Sequence, residues 1–442
     1  DFDPGTNSEL NGMSVGGVGR GTDFHHVEIL NNIDDGLEIF GGTLNVRNLA
    51  VWNIGDDSFD VDQGWRGKAQ FLLIVQGAAG AADQGSGYGD NGFEMDGFDG
   101  NTAGQPVTAA SIWNATVIGA KGVGASDSTD KLIALRDNVN VQFWNSIFMT
   151  DGEKAFNNDN DDGDGSTGFG HAGTLSFDDR WTTLASHYHD GDNFSNDGNF
   201  SDAALQEIYS SQTADANLLQ ISGSLWYDIR DFNLLDDANT NNALPAIAED
   251  GNYGAGVGAE NAELDNLVTG SLPIASLVRS SDPNFTVIST DGGINGDGII
   301  QNITSIDPRA SNQALGSVRA LKYKAPLDGF FSPVDYRGAV GPESDWLQGW
   351  TAMSAMDNDD DSGKILASPT NPSAPGDVQL ILTASATFTS VDGVTYELVA
   401  IDADGNEQIV GTVEGDGSTV SVADLLNGEV DSSLKYVIRI VG

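Results

Sequence analysis

The chain has 442 residues and contains no cysteine. Disulfide bonds, thiolate metal sites and cysteine nucleophiles are therefore excluded. No stretch approaches the ~18 consecutive apolar residues that a membrane-spanning helix requires, so we expect no membrane span. The opening residues Asp1-Phe2-Asp3-Pro4 do not have the pattern of a signal peptide, and we expect a mature or trimmed product.

Basic residues are also scarce. The 19 Lys and Arg stand against 66 Asp and Glu, which gives a formal net charge of −47 at pH 7. Such a surface repels nucleic acid and anionic membranes and attracts divalent cations, although it also serves solubility in saline surroundings. With 56 glycines and many Asp and Asn, the composition is typical of a bacterial protein that is secreted or held at the cell surface.

A short motif recurs near the start of the chain. Asp34-Asp35-Gly36-Leu37-Glu38-Ile39 is repeated 22 residues later as Asp56-Asp57-Ser58-Phe59-Asp60-Val61, and Val27, Leu49 and Phe71 follow the same step. The alternation of apolar and variable residues predicts short strands with one buried face. Strands and Gly/Asn/Asp corners at this period are typical of a parallel β-helix, in which each coil stacks on the last.

Similar units continue at wider spacing, with Gly-rich stretches at 78–90 and 97–107 that we interpret as corner loops. We expect Leu37, Phe59 and Phe93 to stack in one interior column. A second apolar strand is predicted in each unit, over residues 24–30, 44–52, 69–75, 111–118 and 141–149.

Three motifs together resemble a known group of proteins. They are NNIDDGLEIFGGTLNVRNL (31–49), GDDSFDVDQGWRGKAQFLLI (55–74) and LDGFFSPVDYRGAVGPESDWLQGW (327–350). The combination is similar to largely uncharacterised bacterial secreted or surface proteins with right-handed parallel β-helix folds, over roughly residues 5 to 350. This resemblance implies the fold and secretion, and it implies no catalytic residues.

The sequence predicts three regions. Residues 1–350 form the mainly β, right-handed parallel β-helix with inserted loops and short helices, one of them amphipathic at 201–211. Residues 351–376 have the acidic, Ser/Pro/Gly-rich composition of a linker. Residues 377–442 alternate strands with hairpin turns, which predicts a small β-sandwich-like domain.

Glu38, Asp60 and Glu94 take the same outward position in successive units. Coils stack ~4.8 Å apart, so these carboxylates would form a ladder on one sheet face. In the first interpretation they are the acid and base of a glycosidase or polysaccharide lyase. In the second, which we favour, they are an acidic surface that can hold calcium. The corner pairs Asp34-Asp35 and Asp56-Asp57 fit tight turns or calcium bridging.

The strongest metal signal is Asp159, Asp161, Asp162 and Asp164 in the run DNDDGDG. Alternating carboxylates between flexible glycines supply the hard oxygen ligands that calcium prefers. The run lacks the final Glu of an EF-hand, so we predict calcium affinity without a helix-loop-helix. Residues 357–361 are a weaker candidate of the same kind.

The aromatic residues Trp113 and Trp144 lie inside repeated strands. They could stack on sugars, but their position favours a core or a stacking ladder.

We therefore expect a noncatalytic structural or adhesive protein at the bacterial cell surface or outside the cell, stabilised by calcium. Its partners would be further copies of itself in an array or filament, other surface proteins, or surface polysaccharide. The alternative is a secreted carbohydrate-active enzyme, a glycosidase or polysaccharide lyase, that uses Glu38, Asp60 and Glu94.

Overall fold

A computed structural model describes residues 11–30, 32, 34–76, 78–79, 90–97, 107–119, 131–150, 154–159, 162–163, 168–170, 173–185, 216–229, 264–279, 299–300, 303–343, 345–356, 387–389, 395–401, 407–416, 418–421, 426 and 435–441. Contacts between Cα atoms divide the chain into two compact units, Asp1–Val340 and Gly341–Gly442. The predicted helix at 201–211 lies outside the described residues.

The strands and helices of the first unit are β1 (Met13–Gly16), β2 (His25–Leu30), β3 (Leu37–Phe40), β4 (Val46–Trp52), β5 (Phe59–Asp62), β6 (Lys68–Val75), β7 (Ala78–Ala79), β8 (Asn91–Met95), β9 (Ala109–Ile118), β10 (Lys131–Leu135), β11 (Asn140–Trp144), β12 (Ile147–Met149), β13 (Lys154–Asn158), a 3-10 helix (Asp178–Trp181), β14 (Gln220–Ser222), β15 (Leu225–Tyr227), β16 (Leu267–Thr269), β17 (Ile274–Arg279), β18 (Ile299–Ile300) and β19 (Ile303–Ala310). Those of the second unit are α1 (Ala352–Met356), β20 (Thr387–Thr389), β21 (Thr395–Ile401), β22 (Glu407–Glu414), β23 (Thr419–Ser421) and β24 (Lys435–Val441).

Two parallel sheets run the length of the first unit. The first sheet has the order β1-β3-β5-β8-β10-β13, and the second has the order β16-β15-β12-β9-β6-β4-β2, with β11 and β14 paired beside it. The chain alternates between the two sheets, and every pairing within them is parallel. One strand from each sheet thus makes a coil, and stacked coils form a parallel β-helix, as predicted.

The interior column is the one that the repeat predicts. Leu37 pairs with Phe59 and Phe59 with Phe93, and all three side chains are fully buried. The Phe59 and Phe93 ring centroids lie 5.4 Å apart, and Phe93 continues to Phe143 at 5.1 Å. A single coil cannot bury this apolar face, so the core exists only because the coils stack.

A column of residues with positive φ bends the second sheet. Its members are His26, Asn48, Phe71, Asn114 and Asn145, with φ between 48° and 62°. Asn takes this left-handed conformation more readily than most residues, and it fills three of the five positions.

This column corrects two expectations. Leu49 pairs with Leu72 and not with Phe71, so the step there is 23 residues and the fixed spacing of 22 was wrong. Phe71 is the corner residue instead, and its ring lies against Tyr336 at 6.4 Å. The strand predicted at 141–149 is two strands, β11 and β12, because Asn145 turns the chain between them.

Residues 321–340, which we call the strap, lie on the outer side of the second sheet. The Trp113 and Trp144 rings stack at 5.0 Å, and the strap covers them with Phe331 and Tyr323. Arg47 donates hydrogen bonds to the Phe330 carbonyl oxygen and to the Ser332 hydroxyl. The tryptophans are therefore a stacking ladder, as their place in the repeat indicated.

The second unit contains antiparallel sheets, as expected for the C-terminal region. β21 pairs with β22 on one side and with β24 on the other, and β20 pairs with β23. Leu398 and Val399 on β21 are buried. Among the described residues of the whole chain, no helix has both the length and the apolar character needed to cross a membrane.

Candidate functional site

The predicted acidic ladder lies on the first sheet. Glu38, Asp60 and Glu94 are direct partners on β3, β5 and β8. Because neighbouring coils are ~4.8 Å apart, each carboxylate faces the next. Glu38 and Asp60 share a side-chain hydrogen bond, and Glu38 also accepts a hydrogen bond from Asn11 Nδ2.

A second outward column runs beside the ladder, two residues further along each strand. Arg136 stands in it and places Nη1 2.8 Å from Glu94 Oε1 and 3.5 Å from Asp96 Oδ2. Asp159 donates its backbone N–H to the Leu135 carbonyl at 2.7 Å, so it follows Arg136 in the same column. The repeat in the sequence did not reveal this position, because spacing between coils varies there. The column comprises Phe40, Asp62, Asp96, Arg136 and Asp159.

Burial makes the carboxyls of this face hold protons near neutral pH. Burial raises the pKa of Glu38 to about 7, and the neighbouring Asp62 raises it further while the Asp60 hydrogen bond opposes the shift. Burial and the Glu94 charge raise the pKa of Asp96 to about 9, against the attraction of Arg136. Burial, with Asp35 and Glu94 nearby, raises the pKa of Asp60 well above its usual range. Either protons or cations must balance this charge.

The corner aspartates join one coil to the next. Asp35 Oδ1 accepts the Asp57 N–H at 3.0 Å, and Asp57 Oδ1 accepts the Asn91 N–H at 2.8 Å. Asp57 is only 4% exposed, and burial raises its pKa well above the usual range. These contacts agree with a structural role for the corner, although the bonds connect coils and do not close a single turn.

Three carboxylate groups are compact enough to hold a metal ion. Each group has ligand atoms within 4.8 Å of one another, and hard carboxylate oxygens suit calcium. The three groups are Asp34/Asp35/Asp56, Asp35/Glu38/Asp60 and Asp56/Asp57/Asp90.

The loop predicted to bind calcium is described only in part. Asp159 and Asp162 are described, whereas Asp161 and Asp164 lie outside the described residues, as do residues 357–361. A side chain at Gly163 would collide with the Asp137 carboxylate, so the loop lies close against the end of the first sheet. The calcium site at this loop stays a prediction.

One residue with the spacing of a nucleophile motif was missed in the sequence. Gly12-Met13-Ser14-Val15-Gly16 has the form Gly-x-Ser-x-Gly, but Ser14 lies within strand β1 and not at a strand-to-helix turn. Its hydroxyl accepts a hydrogen bond from Asn11 Nδ2 at 2.9 Å. The geometry therefore does not make Ser14 a nucleophile elbow.

Comparison with known proteins agrees with this fold. A family described as pectate-lyase like beta helix domain matches residues 3–217, which include the coils that carry the acidic ladder. No curated protein and no solved structure matches the chain. The match and the observed coils together define a parallel β-helix protein.

Proposed function

We propose that this protein is a noncatalytic structural or adhesive β-helix that works outside the cell, is stabilised by calcium, and assembles into an array or filament or binds surface polysaccharide. A pectate-lyase-like β-helix fits both structural and polysaccharide-acting proteins. The choice between these two classes therefore depends on the acidic face.

The observation that carries the proposal is the state of Arg136. A lyase needs a base that can take a proton from the sugar, and a fully protonated guanidinium cannot do so. Burial alone would lower the pKa of Arg136, but Asp96 and Glu94 outweigh burial and raise the pKa above its ordinary value. Arg136 therefore serves as a fixed counter-charge for two carboxylates.

The covered tryptophans give further support. Aromatic rings bind sugars by stacking, which requires an exposed ring face. Trp113 and Trp144 are 2% and 3% exposed and lie beneath Phe331 and Tyr323 of the strap. This aromatic pair stabilises the β-helix and is not accessible to a glycan.

The calcium part of the proposal is supported by charge. Three compact carboxylate groups lie along consecutive coils, and a cation that binds only the folded chain adds stability by mass action. Extracellular location is supported by the absence of cysteine, which suits any redox environment, and by the frequency of this fold among extracellular proteins.

The test combines a polysaccharide panel with light scattering and electron microscopy, in millimolar calcium and in chelator. We expect no release of reducing ends or unsaturated products from any glycan, and we expect assembly or glycan binding that requires calcium. Catalytic product from the wild-type protein would contradict the noncatalytic role.

The second candidate, a carbohydrate-active enzyme, is favoured by one observation. Glu38 is half-buried, hydrogen-bonded to Asp60 and has a pKa of about 7, which suits a general acid. If product is released in the panel, Glu38→Gln should abolish it, whereas Glu94→Gln should reduce it less because Arg136 already neutralises Glu94. Glu414→Gln in the second unit is the matched control.

A further inference from the structure

We infer that a divalent cation, calcium by preference, binds between coils at the corner formed by Asp56, Asp57 and Asp90, with the Asn91 side-chain oxygen as a fourth ligand. This inference rests on the calcium-stabilised role proposed above and gives it a location. The site lies before the strands β5 and β8, away from the loop at 159–164 that the sequence indicated.

The three carboxylates already have a suitable geometry. One oxygen from each of Asp56, Asp57 and Asp90 lies within 4.8 Å of the others. Calcium–oxygen distances are about 2.3–2.6 Å, so ligands on opposite sides of the ion are about 4.6–5.2 Å apart. One calcium ion can therefore contact all three groups with little rearrangement. Magnesium, with oxygens at about 2.0–2.1 Å, requires a tighter cage.

An independent observation comes from Asn91, which is 2% exposed. Its Oδ1 is buried and has no hydrogen-bond partner within the described part of the chain. The residue is fixed at two points, because its N–H donates to Asp57 Oδ1 at 2.8 Å and its Nδ2 donates to Glu94 Oε1 at 3.4 Å. The unpartnered oxygen thus lies in the acidic corner. A buried carbonyl oxygen without a partner is costly, and a small cation would satisfy it.

The sequence of charges along the corner column agrees with a missing cation. Asp35 and Asp57 are followed by Asn91, and Asn91 pairs with Lys131, which in turn pairs with Lys154. From Lys131 onward the chain supplies its own positive charge to this column. The coils before Lys131 carry carboxylates at the same position, and these are the coils in which the cation would bind.

The experiment uses the full chain, with titration calorimetry for calcium and magnesium and thermal unfolding in calcium and in chelator. The key variant is Asp57→Asn, whose amide oxygen can still accept the Asn91 N–H. We expect calcium affinity to fall at least about tenfold, as when other supporting groups of metal sites are removed. In calcium the variant should melt below the wild type. In chelator it should melt above it, because a buried charge is gone.

Two further variants locate the ion. Asp56→Asn removes a half-buried ligand and should also weaken calcium binding, which protects the test if Asp57→Asn fails to fold. Asp159→Asn/Asp162→Asn is the matched control and should leave corner binding unchanged.

Retention of calcium affinity in both corner variants would overturn the corner site, and its loss in the loop variant would then leave the proposed calcium role intact. A wild-type protein that binds no calcium would overturn both calcium statements, which would indicate that Lys131 neutralises the corner. The noncatalytic role would still be judged separately by the polysaccharide panel.

Discussion

The two sheets of the β-helix share the same coils and the same core but have opposite outer faces. The second sheet is covered by the strap, with stacked aromatic rings, backbone hydrogen bonds and the Lys68–Asp328 ion pair at 2.6 Å. The first sheet has carboxylates in two adjacent columns and, among its described outward residues on β3 to β10, one basic side chain, Arg136.

This difference separates stability from function. Contacts on the strap side satisfy nearly every group that takes part, so they need nothing beyond the chain. The acidic side retains raised pKa values and a buried oxygen without a partner, so its charge is balanced only by protons or by a ligand. We therefore look to the first sheet for a ligand and to the second for the stability of the scaffold.

The largest expected effect comes from breaking the covered side. Trp113→Ala removes a ring that is 2% exposed and stacked between Trp144 and the strap. Large-to-small changes of this kind cost about 3–5 kcal/mol. Denaturant unfolding should show this loss. Trp350→Ala, at a ring that is 39% exposed in the second unit, is the control and should cost much less.

The bend in the second sheet gives a smaller effect. Asn114 has φ of 56°, accepts a hydrogen bond from Gln70 Nε2 and donates one to the Tyr336 carbonyl. Asn114→Ala should cost about 2–3 kcal/mol, because buried partners are orphaned and Ala resists this conformation. Asn114→Gly should recover about 1 kcal/mol in the same unfolding measurement. Equal stability of the two variants would contradict a role for backbone conformation.

On the acidic side, stability should depend on pH in the direction opposite to that of ordinary paired carboxylates. The folded pKa of Asp96 is about 9, so the folded state binds a proton that the unfolded chain releases near pH 4. This contribution is complete below pH 4 and is lost as pH rises towards 9, at no more than about 1.4 kcal/mol per pH unit.

Unfolding free energies of wild type and Asp96→Asn between pH 5 and 9, in chelator, provide the measurement. The variant should have the shallower slope. Asp179→Asn, at a fully exposed carboxyl, should keep the wild-type slope. A wild-type curve that rises over this range would show that the acidic face is ionised and balanced by other groups.

The smallest effect is expected at the edge of the strap. Asp328→Asn removes the ion pair with Lys68 but keeps the oxygen that accepts the Phe330 and Phe331 N–H groups. Partly exposed ion pairs contribute less than about 1 kcal/mol and weaken with salt. The difference in melting temperature from wild type should therefore shrink in high sodium chloride.

Much of the fold could be predicted because it repeats. A shared apolar position every 22 residues placed Leu37, Phe59 and Phe93 in one column, which the structure confirms. The register error at Phe71 arose because one extra residue in a coil leaves the apolar pattern readable in both alignments. A left-handed Phe has no sequence signal of the kind that Asn or Gly provides.

The candidate site was predictable only where the repeat was regular. Glu38, Asp60 and Glu94 were correctly aligned because each follows the same apolar residue. Arg136 as a bridge between Glu94 and Asp96, and the strap over Trp113, depend on contacts between residues far apart in the chain. Local patterns carry no information about such contacts.

The strap also has a consequence for how the chain folds. Stacked coils normally behave as a one-dimensional array, in which folding can begin anywhere and ends can fray independently. Here Arg47 and Gln70 bond to Ser332, across 285 and 262 residues of sequence, so early coils acquire their lateral partners only after most of the chain has been made. Such long-range closure slows folding and couples distant coils into one cooperative transition. A modular repeat is thereby converted into a unit that unfolds as a whole.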